Sequence, residues 1–489
     1  MKRKHTYRWM LCLVTSCLFL SGCGGQSKKQ ETGQIVEQGS GSGKDTELTQ
    51  TEGTEKISAE ETASATEKGK QVARHKIRDL DDAYEVILSS CKKEFIGSYA
   101  IDEYFLTWIH SQYGEDMVLK LAQAVADGEQ DVDLWYQLSG KTIHVLWLEY
   151  CRDTGIQQYL LDQVYWKDCA GTDRVVIDFT GDINLAEGWC TTKHMDAMPN
   201  GIYDCFSQDL LSEMQSADIM VVNNEFTYSN RGTPVEGKDY VFRADPSRVK
   251  NLEAFGTDLA GLANNHVYDY GEEALLDTLD TLTNAEIPYV GAGRNLEEAS
   301  RPVYFIANGR KIAIVAATQI ERSTNYTREA TDTSPGVLKT LDPEKFTQVI
   351  KDAKKNSDLV IAFVHWGTEG DSDFGADQVS LAKAFADAGA DAIVGGHTHC
   401  LQGFSYVEDV PVIYSLGNFW FSQRTLDTGL LQLLIDTDGD ITYRFLPCVQ
   451  QDLKTSLVTD EQKKQEILSY MERISSGVTL DEDGYLIKN

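Results

Sequence analysis

Positive charge is the first thing this chain of 489 residues is short of: Lys and Arg number 45 against 76 Asp and Glu, a net charge of −31. Such a chain repels nucleic-acid phosphates, so nucleic acid is excluded as a partner. Any other polyanion would need a metal ion or a local basic patch to be captured. Paired cysteines are missing too. No CxxC occurs, which argues against a thiolate zinc site. Away from Cys12, Cys17 and Cys23, the set Cys91, Cys151, Cys169, Cys190, Cys205, Cys400 and Cys448 is odd in number and scattered. That is no disulfide framework, although a single Cys190–Cys205 bridge stays open. Long apolar runs are lacking as well: Trp9–Leu20 is too short to span a membrane comfortably. Histidine is scarce, at nine residues, so the places where histidines fall carry information. What is present, 42% hydrophobic and 10% aromatic residues, suffices for an ordinary core, and the length suggests roughly two to four domains.

The chain opens with a targeting pattern over residues 1–22: basic Lys2, Arg3, Lys4 and Arg8, then the apolar stretch, then Leu20-Ser21-Gly22-Cys23. This ending resembles the lipobox of bacterial lipoproteins, with Cys23 as the acylated residue. It implies a protein held by a lipid anchor on the extracytoplasmic face of the bacterial cell membrane. Residues 23–71 are rich in Gly, Ser, Thr, Glu, Gln and Lys and bury too little to fold, so they read as a disordered tether.

Over residues 72–170 the pattern is helical, with Ala83, Ile87 and Leu88, then Tyr104, Phe105, Trp108 and Ile109, then Met117, Leu119, Leu121 and Ala124 at helical spacing. A small all-α domain is expected there, with His110 and His144 as packing or surface residues. From Arg174 apolar runs of strand length alternate with amphipathic stretches, the texture of βαβ units and a mainly parallel sheet. Asp438-Gly439-Asp440 marks a hairpin. Residues 451–489 read as a peripheral acidic tail with one helix over Asp460–Ile474.

The informative feature is the group of residues standing at the end of each run. Val175–Phe179 leads into Thr180-Gly181-Asp182-Ile183-Asn184, and Ile219–Val222 into Asn223-Asn224-Glu225. Leu259–Ala263 leads into Asn264-Asn265-His266, Leu359–Val364 into His365-Trp366-Gly367, and Ala392–Val394 into Gly395-Gly396-His397-Thr398-His399. In open α/β sheets ligands bind at the carboxyl ends of the strands. Alone, each group has a plain structural role as a turn, cap or core residue. Five together, holding four of the nine histidines, point to one metal site. If the last segment is extended, His397 and His399 share a side, and the glycines let backbone pass close to the centre.

Carboxylate, amide oxygen and imidazole without thiolate suit Mn, Fe or Zn. Asp182, Glu225, Asn265, His365, His397 and His399 exceed the needs of one four-coordinate zinc, so a pair of divalent ions roughly 3.5–4 Å apart is expected. His266 is then free to donate a proton or steady developing charge. Arg231, Lys238 and Arg243 form a basic loop that is the candidate receiver of a phosphate or carboxylate-rich substrate.

In order, these motifs, with Asp269-Tyr270-Gly271 and Ser415-Leu416-Gly417-Asn418-Phe419, resemble the capsule-synthesis CapA (poly-γ-glutamate biosynthesis) family of the calcineurin-like metallophosphoesterase superfamily. The resemblance runs from about Arg174 to Pro447 and implies a sandwich of mixed β-sheets flanked by helices over residues 172–450. It implies Asp182, Asn184, Glu225, Asn265, His365, His397 and His399 as metal ligands, with His397 and His399 on different ions, and His266 as the catalytic residue. Asn184 stands where the superfamily has histidine, Glu225 where a bridging aspartate is usual, and Asn264 where glycine is usual. The function implied is a phosphoesterase-type hydrolase of capsule or cell-surface polymer biosynthesis. The alternative is a non-enzymatic component that binds or exports polymer beside a membrane synthase and keeps a degenerate metal site.

Overall fold

Two β-sheets stacked face to face organise the protein, and alternation along their strands explains why. In the strand Arg174–Ile183, Val175, Ile177 and Phe179 point to one face and are at most 1% exposed. They meet Ile312, Ile314, Ile361, Phe363 and Val394 from the opposing sheet, and Phe179 sets its ring edge-on to Phe363 at 5.6 Å. The computed structural model describes residues 76–90, 101–128, 134–171 and 173–489. Val72–Asn489 forms one unit. Cys23, the targeting segment, the tether and Cys91 lie outside the described residues.

One sheet runs, in spatial order, Val164–Trp166, Val303–Ala307, Arg310–Thr318, Leu359–His365, Ala392–Gly396, Val410–Leu416, Leu401–Val407. The other runs Lys454–Leu457, Ile441–Gln451, Leu426–Asp436, Arg174–Ile183, Ile219–Asn224, Leu259–Gly261, Tyr289–Val290. Each is mixed. In the first, the run Arg310–Thr318 to Val410–Leu416 is parallel and flanked by antiparallel pairings. In the second, Arg174–Ile183 through Tyr289–Val290 are parallel, while the strands on its other side are antiparallel. The expectation of a mainly parallel sheet therefore holds only for those parallel runs. Helices cover both outer faces. Glu344–Lys355 and Ala376–Asp387 pack Phe346, Ile350 and Phe385 on Val360, Ala362 and Ile393. Gln208–Ser216 and Gly271–Asn284 pack Leu210, Met214, Leu275 and Leu279 on Met220, Val222 and Ala260. Strands covered on both faces read as continuous apolar runs rather than alternating ones, and each buried aliphatic side chain contributes about 1.5–3 kcal/mol.

The helical segment has a core of its own, Phe105, Trp108, Trp135, Trp147 and Tyr150 among it. Asp102 caps the helix Glu103–Tyr113 through the Phe105 N–H at 2.8 Å. It also carries a strand its pattern does not announce: Val164–Trp166 pairs in parallel with Val303–Ala307. Side chains tie the segment to the sheet. Thr142 Oγ1 donates to Asp358 at 2.7 Å, the Lys311 N–H reaches the same carboxylate at 2.6 Å, and Arg310 stacks over Tyr136 at 4.5 Å. The C-terminal tail is not peripheral: the helix Glu461–Ile474 buries Ile467, Leu468 and Met471 in the main core. Among the described residues Cys190 and Cys205 are unbridged, and no helix is long and apolar enough to cross a membrane.

Candidate metal centre

The carboxyl ends of the central strands of both sheets bring Asp182, Glu225, Asn265, His266, His365, His397 and His399 to one place. Each is at most 9% exposed except His399, whose side chain is 16% exposed. Asp182 is the next-to-last residue of the strand Arg174–Ile183, and Glu225 follows Ile219–Asn224 directly. Asn265 and His266 lie in the turn after Leu259–Gly261, and His365 ends Leu359–His365. The two glycines of the last segment do what close approach requires. A Cβ on Gly395 would lie 2.1 Å from the Tyr414 carbonyl, and one on Gly396 would come within 3.2 Å of Asp182 Oδ1.

His397 and His399 do not reach the centre by strand alternation. The strand stops at Gly396, and the two histidines come next in positive-φ backbone, at 101° and 57°. Side chains other than glycine adopt that region at a cost of about 1–3 kcal/mol each, and such strain gathers at functional sites. The turn splits the pair. His397 falls with Glu225 and His365, His399 with Asp182 and Glu225, and within each group the ligand atoms lie within 4.8 Å of one another.

Glu225 belongs to both groups and shows best what the centre is shaped for. Its Oε1 is buried and, among the described residues, without a hydrogen-bond partner, as are His397 Nδ1 and Asn184 Nδ2. It stands 3.6 Å from His365 Nε2 and 3.9 Å from both His266 Nε2 and His399 Nε2. Those gaps are too long for hydrogen bonds. They are close to the spacing of about 3.4 Å between two ligands of one tetrahedral ion. His397 Nδ1 is a second buried atom without a partner. His365 Nε2 meets Asn265 Oδ1 at 2.8 Å, so amide oxygen and imidazole converge on one point. The donor set of carboxylate, amide and imidazole fits a divalent ion.

Protonation fits at His365 and His397. Burial, then the neighbouring His397 and His399, hold His365 well below the usual imidazole range. Burial and then His399 hold His397 down at about 3. Both rings are therefore neutral near pH 7, with lone pairs open to an ion. Burial also lowers His399, but the Asp182 carboxylate at 3.0 Å outweighs it and the net shift is upward. Glu225 is pushed well above the carboxylate range by burial first and by the charge of Asp182 second.

Asn184 is placed differently. Its Oδ1 accepts the Ala186 N–H at 2.8 Å, while its Nδ2 is buried without a partner. The amide oxygen thus serves the local turn. The basic loop also faces elsewhere. Arg231 pairs with Asp277 on the exterior, and Arg243 lies over the Tyr270 ring at 4.1 Å. The Lys238 side chain is 9% exposed, 2.7 Å from Asp269 Oδ1 and 3.1 Å from Glu321, and it donates to the Asn265 carbonyl. Trp366 and Trp420 are fully buried packing residues.

Two residues that stand in the motifs, but to which the sequence reading assigned no role, prove to be supports. Asn223 Nδ2 donates to Asp182 Oδ1 at 2.7 Å and to Glu225 Oε2 at 3.3 Å, which aligns both carboxylates. Asp269 Oδ2 lies 2.7 Å from His266 Nδ1 and also accepts the Phe242 N–H at 2.6 Å. That bond fixes the His266 ring with Nε2 toward the centre. The signals were there: Asn223 stands two residues before Glu225, and Asp269 three after His266.

Fold and site together define an α/β sandwich with a candidate divalent-metal centre at its strand ends. The profile of the bacterial capsule synthesis protein PGA_cap family matches residues 176–423. The PGA biosynthesis protein CapA of Bacillus subtilis (strain 168) is 33% identical over 268 residues, 54% of this chain and 69% of that one. The capsule biosynthesis protein CapA of Bacillus anthracis is 35% identical over 246 residues, 49% of this chain and 59% of that one. The chain belongs to the PGA_cap family of bacterial capsule synthesis proteins. Among solved structures, a 5'-nucleotidase from Candida albicans SC5314 overlaps 56% of this chain and 54% of its own at 13% identity and a TM-score of 0.31. TT1561 of Thermus thermophilus overlaps 54% of this chain and 99% of its own at 10% identity and a TM-score of 0.29.

Proposed function

We propose that this chain is a lipid-anchored, extracytoplasmic hydrolase of phosphoesterase type, acting in capsule, poly-γ-glutamate or other cell-surface polymer biosynthesis. The observation that carries the reading is Glu225 Oε1, a buried carboxylate oxygen without a partner, ringed by three imidazole nitrogens at 3.6–3.9 Å. Asp182, Glu225 and His399 would hold one divalent ion, and Glu225, Asn265, His365 and His397 another. Bound there, such ions supply Lewis-acid charge and lower the pKa of water.

The rest is the work of the chain's own groups. Asn223 keeps the Asp182 and Glu225 oxygens aligned. Asp269 holds His266 Nδ1, and Lys238 at 2.7 Å compensates the Asp269 charge. His266 Nε2 is thereby positioned to take a proton from water while the ring is neutral and, once the ring is an imidazolium held by Asp269, to give it to a leaving oxygen. Phe242 and Phe421, each 4.5 Å from His266 and His399 respectively, keep water from that side. Elemental analysis with a panel of phosphoesters, on wild type, His266→Ala and His397→Ala, tests the reading. The expected result is metal-dependent hydrolysis, lost in His266→Ala with its metal kept. Purified protein that takes up no metal and cleaves no phosphoester ends the proposal.

One observation favours a second reading. The Asn184 oxygen is engaged by Ala186 rather than left open, which leaves the Asp182–Glu225–His399 group one ligand short. A site so depleted suits a polymer-binding or export component, with the helical segment docking a membrane synthase. Hydrolysis by wild type but not by His266→Ala excludes it. Loss of synthase co-purification on deleting residues 72–168, in a chain without hydrolytic activity, supports it.

A further inference from the structure

An anionic substrate approaching a chain of net charge −31 needs a cation close to the reacting centre. Arg231 and Arg243 are turned outward onto Asp277 and Tyr270. Two lysines near the centre are turned inward. Lys238 is held by Asp269 and Glu321. Lys339 is 7% exposed and donates to the Ile320 carbonyl at 2.8 Å, and its burial pushes it down to about 8.

Arg322 differs from all of these. The strand Arg310–Thr318 runs parallel to Leu359–His365 with Thr318 opposite His365, and the Gln319 N–H bonds the His365 carbonyl at 2.9 Å. The chain therefore leaves the sheet beside a ligand histidine and delivers Arg322 four residues later. Its Nη2 is anchored by the Gly367 carbonyl at 2.6 Å, Gln319 Oε1 at 3.0 Å and Asp377 at 3.0 Å. Nε also donates to Gln319 Oε1, at 3.2 Å. Among the described residues Nη1 has a single, long hydrogen bond, 3.4 Å to Thr368 Oγ1, and the side chain remains 38% exposed. The guanidinium is thus oriented on one side and open on the other. The carbonyl that holds Nη2 belongs to Gly367, two residues past the ligand His365, so the guanidinium stands beside that strand end.

We propose that Arg322 is the anion-recognition residue of this site, its Nη1 edge and the Thr368 hydroxyl receiving the non-bridging oxygens of a phosphoester held at the centre. The inference rests on the hydrolase reading above and names the group that selects its substrate. A planar guanidinium matches a tetrahedral oxyanion in a way a lysine point charge does not.

The test is calorimetric titration of inorganic phosphate, and separately of glutamate, into the Mn²⁺-loaded full chain, with metal content measured in parallel. Arg322→Gln is expected to weaken phosphate binding about 10–100-fold at unchanged metal content, and Arg322→Lys to fall between. Phosphate affinity in Arg322→Gln within twofold of wild type overturns the proposal. Asp377→Asn separates recognition from loop bracing, since it removes an anchor and keeps the guanidinium. Phosphate affinity is expected to hold or tighten, and a loss equal to that of Arg322→Gln assigns Arg322 to bracing and overturns the proposal. Arg322-dependent binding of glutamate in place of phosphate also overturns it, by giving the oxyanion to a carboxylate polymer. A wild type that is loaded and hydrolytic while Arg322→Gln is unaffected refutes this inference alone. A wild type without metal refutes the hydrolase reading and this one together.

Discussion

Two regions of this molecule take polar side chains out of solvent, one in part and one almost wholly, and treat them in opposite ways. Where the helical segment meets the sheet, Asp358 accepts from Thr142 at 2.7 Å and from the Lys311 N–H at 2.6 Å, and Lys141 closes on Glu149 at 2.8 Å. Donors and acceptors there answer one another. At the strand ends, Glu225 Oε1 and His397 Nδ1 have no hydrogen-bond partner, and the positive-φ backbone at His397 and His399 adds strain. An unanswered buried polar atom costs about 1–3 kcal/mol, so burial of this kind persists where something else completes it. The junction is a joint, and the strand ends are a candidate site.

The largest test of that contrast removes a ligand. His397→Ala is expected to cut hydrolysis by about 10³-fold or more, through lost Lewis-acid charge worth several kcal/mol, as read by turnover on a phosphoester. Next comes His266→Ala, expected to lower turnover by about 10²–10⁴-fold with metal content unchanged. Metal loss in this variant would move His266 from proton donor to ligand.

The junction predicts the reverse pattern. Thr142→Val leaves the buried Asp358 carboxylate short of one donor and is expected to cost about 1–3 kcal/mol in chemical denaturation, with metal uptake and turnover unchanged. The smallest effect is in pH. Burial foremost, then Lys311 and Lys354, depress His144 to about 3. The folded protein keeps this ring neutral while the unfolded chain takes up a proton below about pH 6.5. Stability is therefore complete above that pH and falls as the solution is acidified toward 3. Between pH 6.5 and 5 the group accounts for about 1–2 kcal/mol. Denaturation of His144→Gln across that interval is expected to show a smaller loss than wild type.

How far each region was readable depends on what shapes it. The site was largely legible because parallel strands covered on both faces are continuous apolar runs, and what stands at their carboxyl ends must converge. Asp182, Glu225, Asn265, His365, His397 and His399 could be picked out on that ground. The route taken by His397 and His399 could not, because positive φ is a property of the turn rather than of residue spacing. Asn223 and Asp269 stood in the motifs without an assigned role, because their roles depend on partners whose orientation the fold decides. Arg322 lies beyond an apolar run, Ile312–Ala316, with no ligand-type residue at its end, so only the pairing of Thr318 with His365 places it. Val164–Trp166 is strand because Val303–Ala307 lies beside it, and three residues carry no periodicity of their own. The tail looked peripheral because its charge hides three buried residues on one helix face.

The central claim is that the unpartnered Glu225 oxygen marks a divalent-metal centre. Elemental analysis of wild type and Glu225→Gln, purified alike and titrated with Mn²⁺, measures it most directly. The expected result is bound transition metal that raises the melting temperature of wild type, with uptake and thermal gain both abolished in a folded Glu225→Gln. Equal metal uptake by the two proteins, or none by wild type at millimolar Mn²⁺ or Zn²⁺, would contradict it.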